Sequence, residues 1–438
     1  MSVADAVAAG QRVVVHVRSL ASNGAGVAEL PDGRVVFVHR TAPGDDVEVA
    51  VERIHRRWAA GTLVGVETSS SQRETPPCPL YDSCGGCTLQ HVGYATQLTW
   101  KGRFVADALA RIGGVDVSVP EVQRSPLVWG YRNRVTFILR RLRGGRVVAG
   151  FHALERPDRV VEVRDECLLA ERPILQAWSG LREAWGRAAE RLPAPGDLRI
   201  TLRSVDGGVV VLVRGGAPGW EPGDLLERIP GCRALWHQPQ GGPALLVAGT
   251  PAEEVVGAER VPLGGRAFVQ VNREAADELG RHVLDRALAG AAGTLRAVDA
   301  FCGVGVHGRA LARAGWRVQG IESDAEACAA ARHGAPAGFS VVEGRVEERL
   351  SACLPADLVI VNPPRTGLDE RVPPMLAAVP APRLIYVSCD PATLARDAAR
   401  LADTYVLADV RCFDLFPQTA HVETVAIFTR RGDPGEKA

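Results

Sequence analysis

The chain has 438 residues, 51 of them basic and 51 acidic, and 46% are hydrophobic. This length and apolar content support two or three domains with a core in each, while the balanced charge excludes a molecule that draws in nucleic acid by net field, so only a local patch can do so. No run of about eighteen apolar residues predicts a membrane helix, and the opening "MSVADAVAAGQRVVV" lacks a secretory pattern, so a cytoplasmic protein is expected.

In chain order, residues 11 to 67 alternate β-branched runs ("RVVVHVRSL", "GRVVFVHR", "DDVEVAVERI") with glycine turns, which predicts a small OB-like β-barrel. "TSSSQRETPPCP" reads as a linker, followed by cysteines 78, 84 and 87 and a helix over 94–112. Residues 120 to 262 read as an α+β region. Beyond 265, strands such as "RAVDAF", "DLVIVNPP" and "RLIYVSCD" alternate with helices, which predicts an α/β domain with a doubly wound parallel sheet. The expected domains are 1–67, 68–262 and 263–438, with the helix at 94–112 a candidate to pack on the third.

"VDAFCGVGVHG" carries Gly303, Gly305 and Gly308 in G-x-G-x-x-G spacing, a weak signal in a glycine-rich chain. Asp299 ends the first strand before these glycines and Glu322 closes the next strand, an order that resembles S-adenosylmethionine-dependent methyltransferases. In that resemblance Glu322 accepts from both ribose hydroxyls. The following strand ends in Asn362-Pro363-Pro364-Arg365, where two prolines fix a rigid turn. Two chemistries are open there: amino-group methylation at an Asn-Pro-Pro turn, which is usually followed by an aromatic residue, or chemistry centred on a nucleophile elsewhere in the crevice.

The candidate nucleophile is Cys389 in "LIYVSCDPAT", at the carboxyl end of a predicted buried strand. Taken with "NPPRTG" upstream and "FDLFPQTAHVE" downstream, the chain resembles the RNA uracil-5-methyltransferase family over essentially its whole length. The resemblance implies a Rossmann-like S-adenosylmethionine-dependent domain, an N-terminal TRAM barrel that binds RNA, and methylation of uracil carbon 5. Carbon 5 is a poor nucleophile, so a thiolate must first add to carbon 6, and a base must later remove the carbon 5 proton. Cys389 and Glu423 fall in those roles, and Gln270, Phe301, Gly303, Glu322 and Asn362 in the cofactor site. Asn362 and Asp390 depart from the family's acid and amide at those turns, and Val306 from an often polar position.

Cys78, Cys84 and Cys87 are too few for a closed metal site. Cys167 is the fourth candidate, and the family resemblance implies a [4Fe-4S] cluster on these four, with zinc as the alternative. Their spacing is not C-x3-C-x2-C, which argues against radical chemistry. "YRNRVTFILRRLRGGR" holds Arg132, Arg134, Arg140, Arg141, Arg143 and Arg146 without an acid, and is expected to face RNA with Tyr131 and Phe137 stacking on bases. The expected partner is RNA, ribosomal rather than transfer RNA, with no membrane association and a monomeric protein. A factor that binds RNA without catalysis is the reading from another class.

Overall fold

A computed structural model describes residues 6–256, 259–263, 268–291, 293 and 295–432. Three large sheets follow one another along the chain, with a two-stranded antiparallel sheet, Ala252–Val256 and Glu259–Leu263, between the second and the third.

The first is six-stranded and curls on itself. Its opening strand, Arg12–His16, pairs with Asp46–Ile54, and after a break at 17–18 the chain continues as Ser19–Leu20, which pairs with Gly26–Glu29 at the sheet's other edge. One broken strand thus serves both edges. Alternation puts Val15, Val36, Val38, Val47, Val49 and Val51 inside, as the period of two requires. The stretch expected as a linker is strapped down, because Arg73 reaches buried Asp45 at 2.6 Å and the backbone of Glu74 bonds His91.

The second sheet has seven strands, all antiparallel except that Gly208–Arg214 runs parallel to Cys232–Gln238. Helix Arg172–Ala184 covers one face, with Trp178 stacked on Phe137 at 3.9 Å. Strand Arg134–Arg141 alternates Val135, Phe137 and Leu139 into that core against outward arginines. The expectation of base-stacking aromatics fails here: Tyr131 and Phe137 are both buried. The arginines are engaged as well. Arg140 pairs with Asp197 and Arg141 donates to carbonyls of residues 192, 193 and 196, where it holds a turn. Asn133, expected to face RNA, is buried and donates to the Gln270 carbonyl at 3.2 Å.

The third sheet runs Phe339–Glu343, Arg317–Glu322, Arg296–Ala300, Leu358–Val361, Arg383–Ser388, Glu423–Arg430, Tyr405–Phe413, Val122–Gln123. Its first five strands are parallel, and Glu423–Arg430 is antiparallel to both neighbours. Strand order reverses between Arg296–Ala300 and Leu358–Val361, which opens a crevice at the carboxyl ends. Helix Tyr94–Arg111 packs Val105 and Leu109 into this sheet's core, and Val122–Gln123 supplies its edge strand, so residues 94–123 are built into the third layer. Among the described residues no helix is long and apolar enough to cross a membrane.

Candidate active site

The predicted crevice residues lie at or close to strand ends, except Gln270, which lies in the stretch before helix Arg273–Leu288. Asp299, on the first strand, is buried and accepts from the Gly308 amide at 2.8 Å, while its Oδ1 has no partner among the described residues. Burial pushes its carboxyl up to about 7, with the Gly308 bond pulling the other way. Gly308 must be glycine, since a Cβ there would sit 2.4 Å from the Phe339 ring. Phe301 follows the strand with φ of 62°, a left-handed conformation that is costly for an aromatic residue and clusters at functional sites.

Glu322 is oriented by three backbone donors, Gly303 to Oε2 and Ser323 and Asp324 to Oε1, at 3.0, 2.7 and 2.7 Å. A carboxylate offers about four acceptor sites. The Ser323 hydroxyl donates to Oε1 as well, at 3.4 Å. Gln270 lies half-buried in the stretch that Asn133 ties to the second sheet, and its Oε1 is buried without a partner among the described residues. Asn362 is half-buried, its amide nitrogen bonded to the Ala300 carbonyl. Val306 is exposed on the first turn of helix Val306–Arg313.

Cys389 sits one residue beyond strand Arg383–Ser388. The antiparallel register pairs Val387 with Val425 and Ser388 with Thr424, so the next step sets Cys389 opposite Glu423. Both are enclosed. Burial first, and then the neighbouring Glu423, push the Cys389 thiol up to about 11, against the pull of Arg365. Burial pushes the Glu423 carboxyl up to about 8, again opposed by Arg365. Arg365 is held from the other side by His421, whose Nε2 lies 3.4 Å from the guanidinium. Burial and the Arg365 charge lower His421 to about 4, so its imidazole is neutral and can accept.

The departure at Asp390 has a structural reason. Its Oδ1 caps helix Pro391–Leu401 by accepting from the Ala392 and Thr393 amides at 3.0 and 2.9 Å, a role that Asn and Asp fill equally. Sequence reading missed Asp397 on that helix. Fully buried, it accepts from the Leu368 amide and the Tyr386 hydroxyl, each at 2.8 Å, and so ties the turn after Asn362 to the helix after Cys389. Arg365 was visible in the sequence, but its charge over both reacting groups needed the fold.

The four predicted metal ligands also meet. Cys78, Cys84, Cys87 and Cys167 line one cavity of about 70 Å3 with Tyr81 and Phe151, and Arg132 lines it too instead of facing RNA. Burial raises the thiols of Cys84 and Cys167, and raises that of Cys87 to about 12. Arg40 of the barrel clamps the loop by donating to the Cys84 and Cys87 carbonyls at 2.8 and 2.9 Å. Among the described residues no group of three or more His, Cys, Asp or Glu is spaced to hold a single metal ion.

A doubly wound methyltransferase-type sheet behind a curled N-terminal sheet, with a thiol and a carboxyl facing each other at the crevice, defines the class as a nucleic-acid methyltransferase. Residues 349–431 match the tRNA (Uracil-5-)-methyltransferase family and residues 7–64 the TRAM domain. An RNA methyltransferase of Thermosynechococcus vestitus is 36% identical over 96% of this chain and 98% of its own. The 23S rRNA (uracil(1939)-C(5))-methyltransferase RlmD of Thiobacillus denitrificans is 32% identical over 95% of this chain and 99% of its own. Among solved structures, the Pyrococcus abyssi tRNA (uracil-54, C5)-methyltransferase in complex with S-adenosyl-L-homocysteine superposes with a TM-score of 0.71 at 28% identity, covering 95% of this chain and 99% of that one. The chain belongs to the RNA uracil-5-methyltransferase family.

Proposed function

We propose that this enzyme methylates carbon 5 of a uridine in RNA through a covalent Cys389 adduct, with Glu423 as the base and S-adenosylmethionine as the donor. The observation that carries the reading is the register that sets Cys389 opposite Glu423 beneath Arg365. Cys389, which Arg365 pulls toward the thiolate, gives its proton to solvent, and its sulfur bonds carbon 6, which moves the electron pair of the carbon 5–carbon 6 double bond toward carbon 5. When bound, S-adenosylmethionine would supply an electrophilic methyl to that carbon, the methyl–sulfur bond breaking to leave S-adenosylhomocysteine. Glu423 then takes the carbon 5 proton, the carbon 5–carbon 6 double bond re-forms, and the thiolate leaves. A base held near pH 8 suits this step, because proton transfer is efficient when the pKa lies close to the working pH.

The unpartnered oxygens of Asp299 and Gln270, the backbone-oriented Glu322, and the turn at Phe301, Gly303 and Asn362 fit a bound nucleoside sulfonium. Amino-group methylation at Asn362 has no comparable support. It leaves the opposed thiol and base without a task.

The four cysteines fit a [4Fe-4S] cluster better than zinc. An all-thiolate set in one largely apolar cavity, with no His, Asp or Glu among its lining residues, suits such a cluster. The cluster's part is structural, and no reaction step passes through it.

Ribosomal RNA is the proposed substrate, on the strength of the 32% identity to a 23S rRNA enzyme against 28% to a tRNA enzyme. The overall architecture does not separate the two substrates, because the tRNA enzyme aligns over 99% of its own length and 95% of this chain. RNA carrying 5-fluorouridine tests the mechanism: a denaturation-resistant complex with unmodified enzyme and none with Cys389→Ala is expected, and no complex with active enzyme refutes it. Mapping 5-methyluridine in ribosomal and transfer RNA of a deletion strain tests the substrate, and loss confined to transfer RNA overturns the preference.

A further inference from the structure

Glu423 is the first residue of its strand, so its aim is set by the loop 414–422 that leads into it. That loop is held from outside at four consecutive carbonyls. Leu415 accepts from the Asn272 amide at 3.2 Å, Phe416 from the Lys101 ammonium at 3.1 Å, and Pro417 from the Tyr131 hydroxyl at 3.0 Å. The Gln418 carbonyl accepts from the Thr88 and Leu89 amides, both at 3.0 Å. The Gln418 side chain and backbone also exchange two bonds with the amide of Gln97, at 3.0 and 3.1 Å, while Gln418 itself holds a left-handed φ of 69°. A residue kept in that conformation needs its surroundings to enforce it.

Lys101 is the centre of this frame. It is fully buried, as is Asp414, and the two meet at 2.5 Å. Only two of the chain's 51 basic residues are lysines, Lys101 and Lys437. A guanidinium presents five donors in a fixed fork, whereas an ammonium presents three on one atom. Asp414 and one carbonyl are the partners here, and the smaller cation suits them. Around the pair, Trp100 and Phe104 of the same helix pack with Leu89, Val92 and Ala420.

We propose that Gln97, Lys101 and Tyr131 are positioning residues for the base: they fix the loop 414–422 so that Glu423 meets the carbon 5 proton of the adduct. This rests on Glu423 being the base. None of the three acts in addition of Cys389, which stands on a different strand. Their loss therefore slows release of the product from Cys389 and leaves capture of the base by Cys389 intact.

The test uses the full-length holoenzyme with Tyr131→Phe, which removes one hydroxyl, and Lys101→Met. Both are expected to trap 5-fluorouridine RNA at the unmodified rate. With ordinary RNA labelled with tritium at uridine carbon 5, tritium release is expected to fall at least tenfold while a denaturation-resistant methylated adduct accumulates. Should Lys101→Met not fold, Tyr131→Phe decides alone. Tritium release at the unmodified rate, or trapping and release falling in proportion, overturns the proposal. An unmodified enzyme that traps no 5-fluorouridine RNA overturns the Cys389 reading and this inference with it.

Discussion

The crevice and the cysteine cavity both bury thiols, yet they solve the cost of a buried thiolate in different ways. In the crevice one thiol faces one carboxyl, and a single exposed cation, Arg365, pulls both groups toward their charged forms. In the cavity four thiols come together with no Asp or Glu among the lining residues, and the proposed cluster would displace their protons. The first arrangement is made for a charge that comes and goes. The second is made for one that stays.

The largest expected effects break the crevice side of this contrast. Cys389→Ala should reduce methyl transfer to background, read as labelled methyl incorporation into RNA. Glu423→Gln should lower turnover by roughly 10²–10⁴-fold, the range for a general base, while the adduct still forms and persists on denaturing gels. Retention of full turnover in Glu423→Gln would remove it from the mechanism.

Breaking the cavity should act on the fold more than on the chemistry. Cys167→Ser should lower Tm and bleach the visible absorption of an iron-sulfur protein, because metal binding energy is folding energy. Anaerobically purified protein that is colourless and holds zinc would overturn the cluster.

A finer test sharpens the role of Arg365. The elimination step should speed up as pH rises through about 8, where Glu423 loses its proton. Arg365→Met removes the one pull that lowers both groups, so the midpoint should move to higher pH. The same shift affects stability. The folded pKa of Glu423 lies above the ordinary 4.5, so its contribution is complete below pH 4.5 and is lost as pH rises through about 8. Thermal melts of Glu423→Gln should accordingly show less loss on the alkaline side.

The smallest effects are expected from the arginine stretch. Arg141→Ala should cost on the order of 1 kcal/mol of stability through its lost carbonyl bonds and leave RNA affinity unchanged. Exposed Arg143 and Arg146, replaced singly, should lower the salt slope of RNA binding by at most about one.

The arginine stretch also shows where sequence reading stops. The run of arginines in "RNRVTFILRR" suggested an RNA-facing patch, but the sequence could not say that Asp197 and a row of carbonyls occupy Arg140 and Arg141. Cys389 and Glu423, by contrast, were legible because each stands in a short signature, "LIYVSCDPAT" and "FDLFPQTAHVE", that resembles the family's. The identity of Asp390 as a helix cap was equally local, though only the bonds to Ala392 and Thr393 revealed it.

By itself the sequence determined the alternation of strands and helices, the strand-end positions of Asp299, Glu322, Asn362 and Cys389, and the residue types able to carry thiol and base chemistry. Those follow from periods and turns spanning a few residues. The tertiary structure alone decided that Glu423 stands opposite Cys389, that Arg365 opposes the upward pKa shift of both, that Cys167 joins three cysteines some eighty residues earlier, and that Lys101 closes on Asp414. Such pairings depend on sheet order and on burial of groups far apart in sequence, 313 residues for Lys101 and Asp414, and no local pattern encodes which distant partner will offset the cost of removing a charge from water.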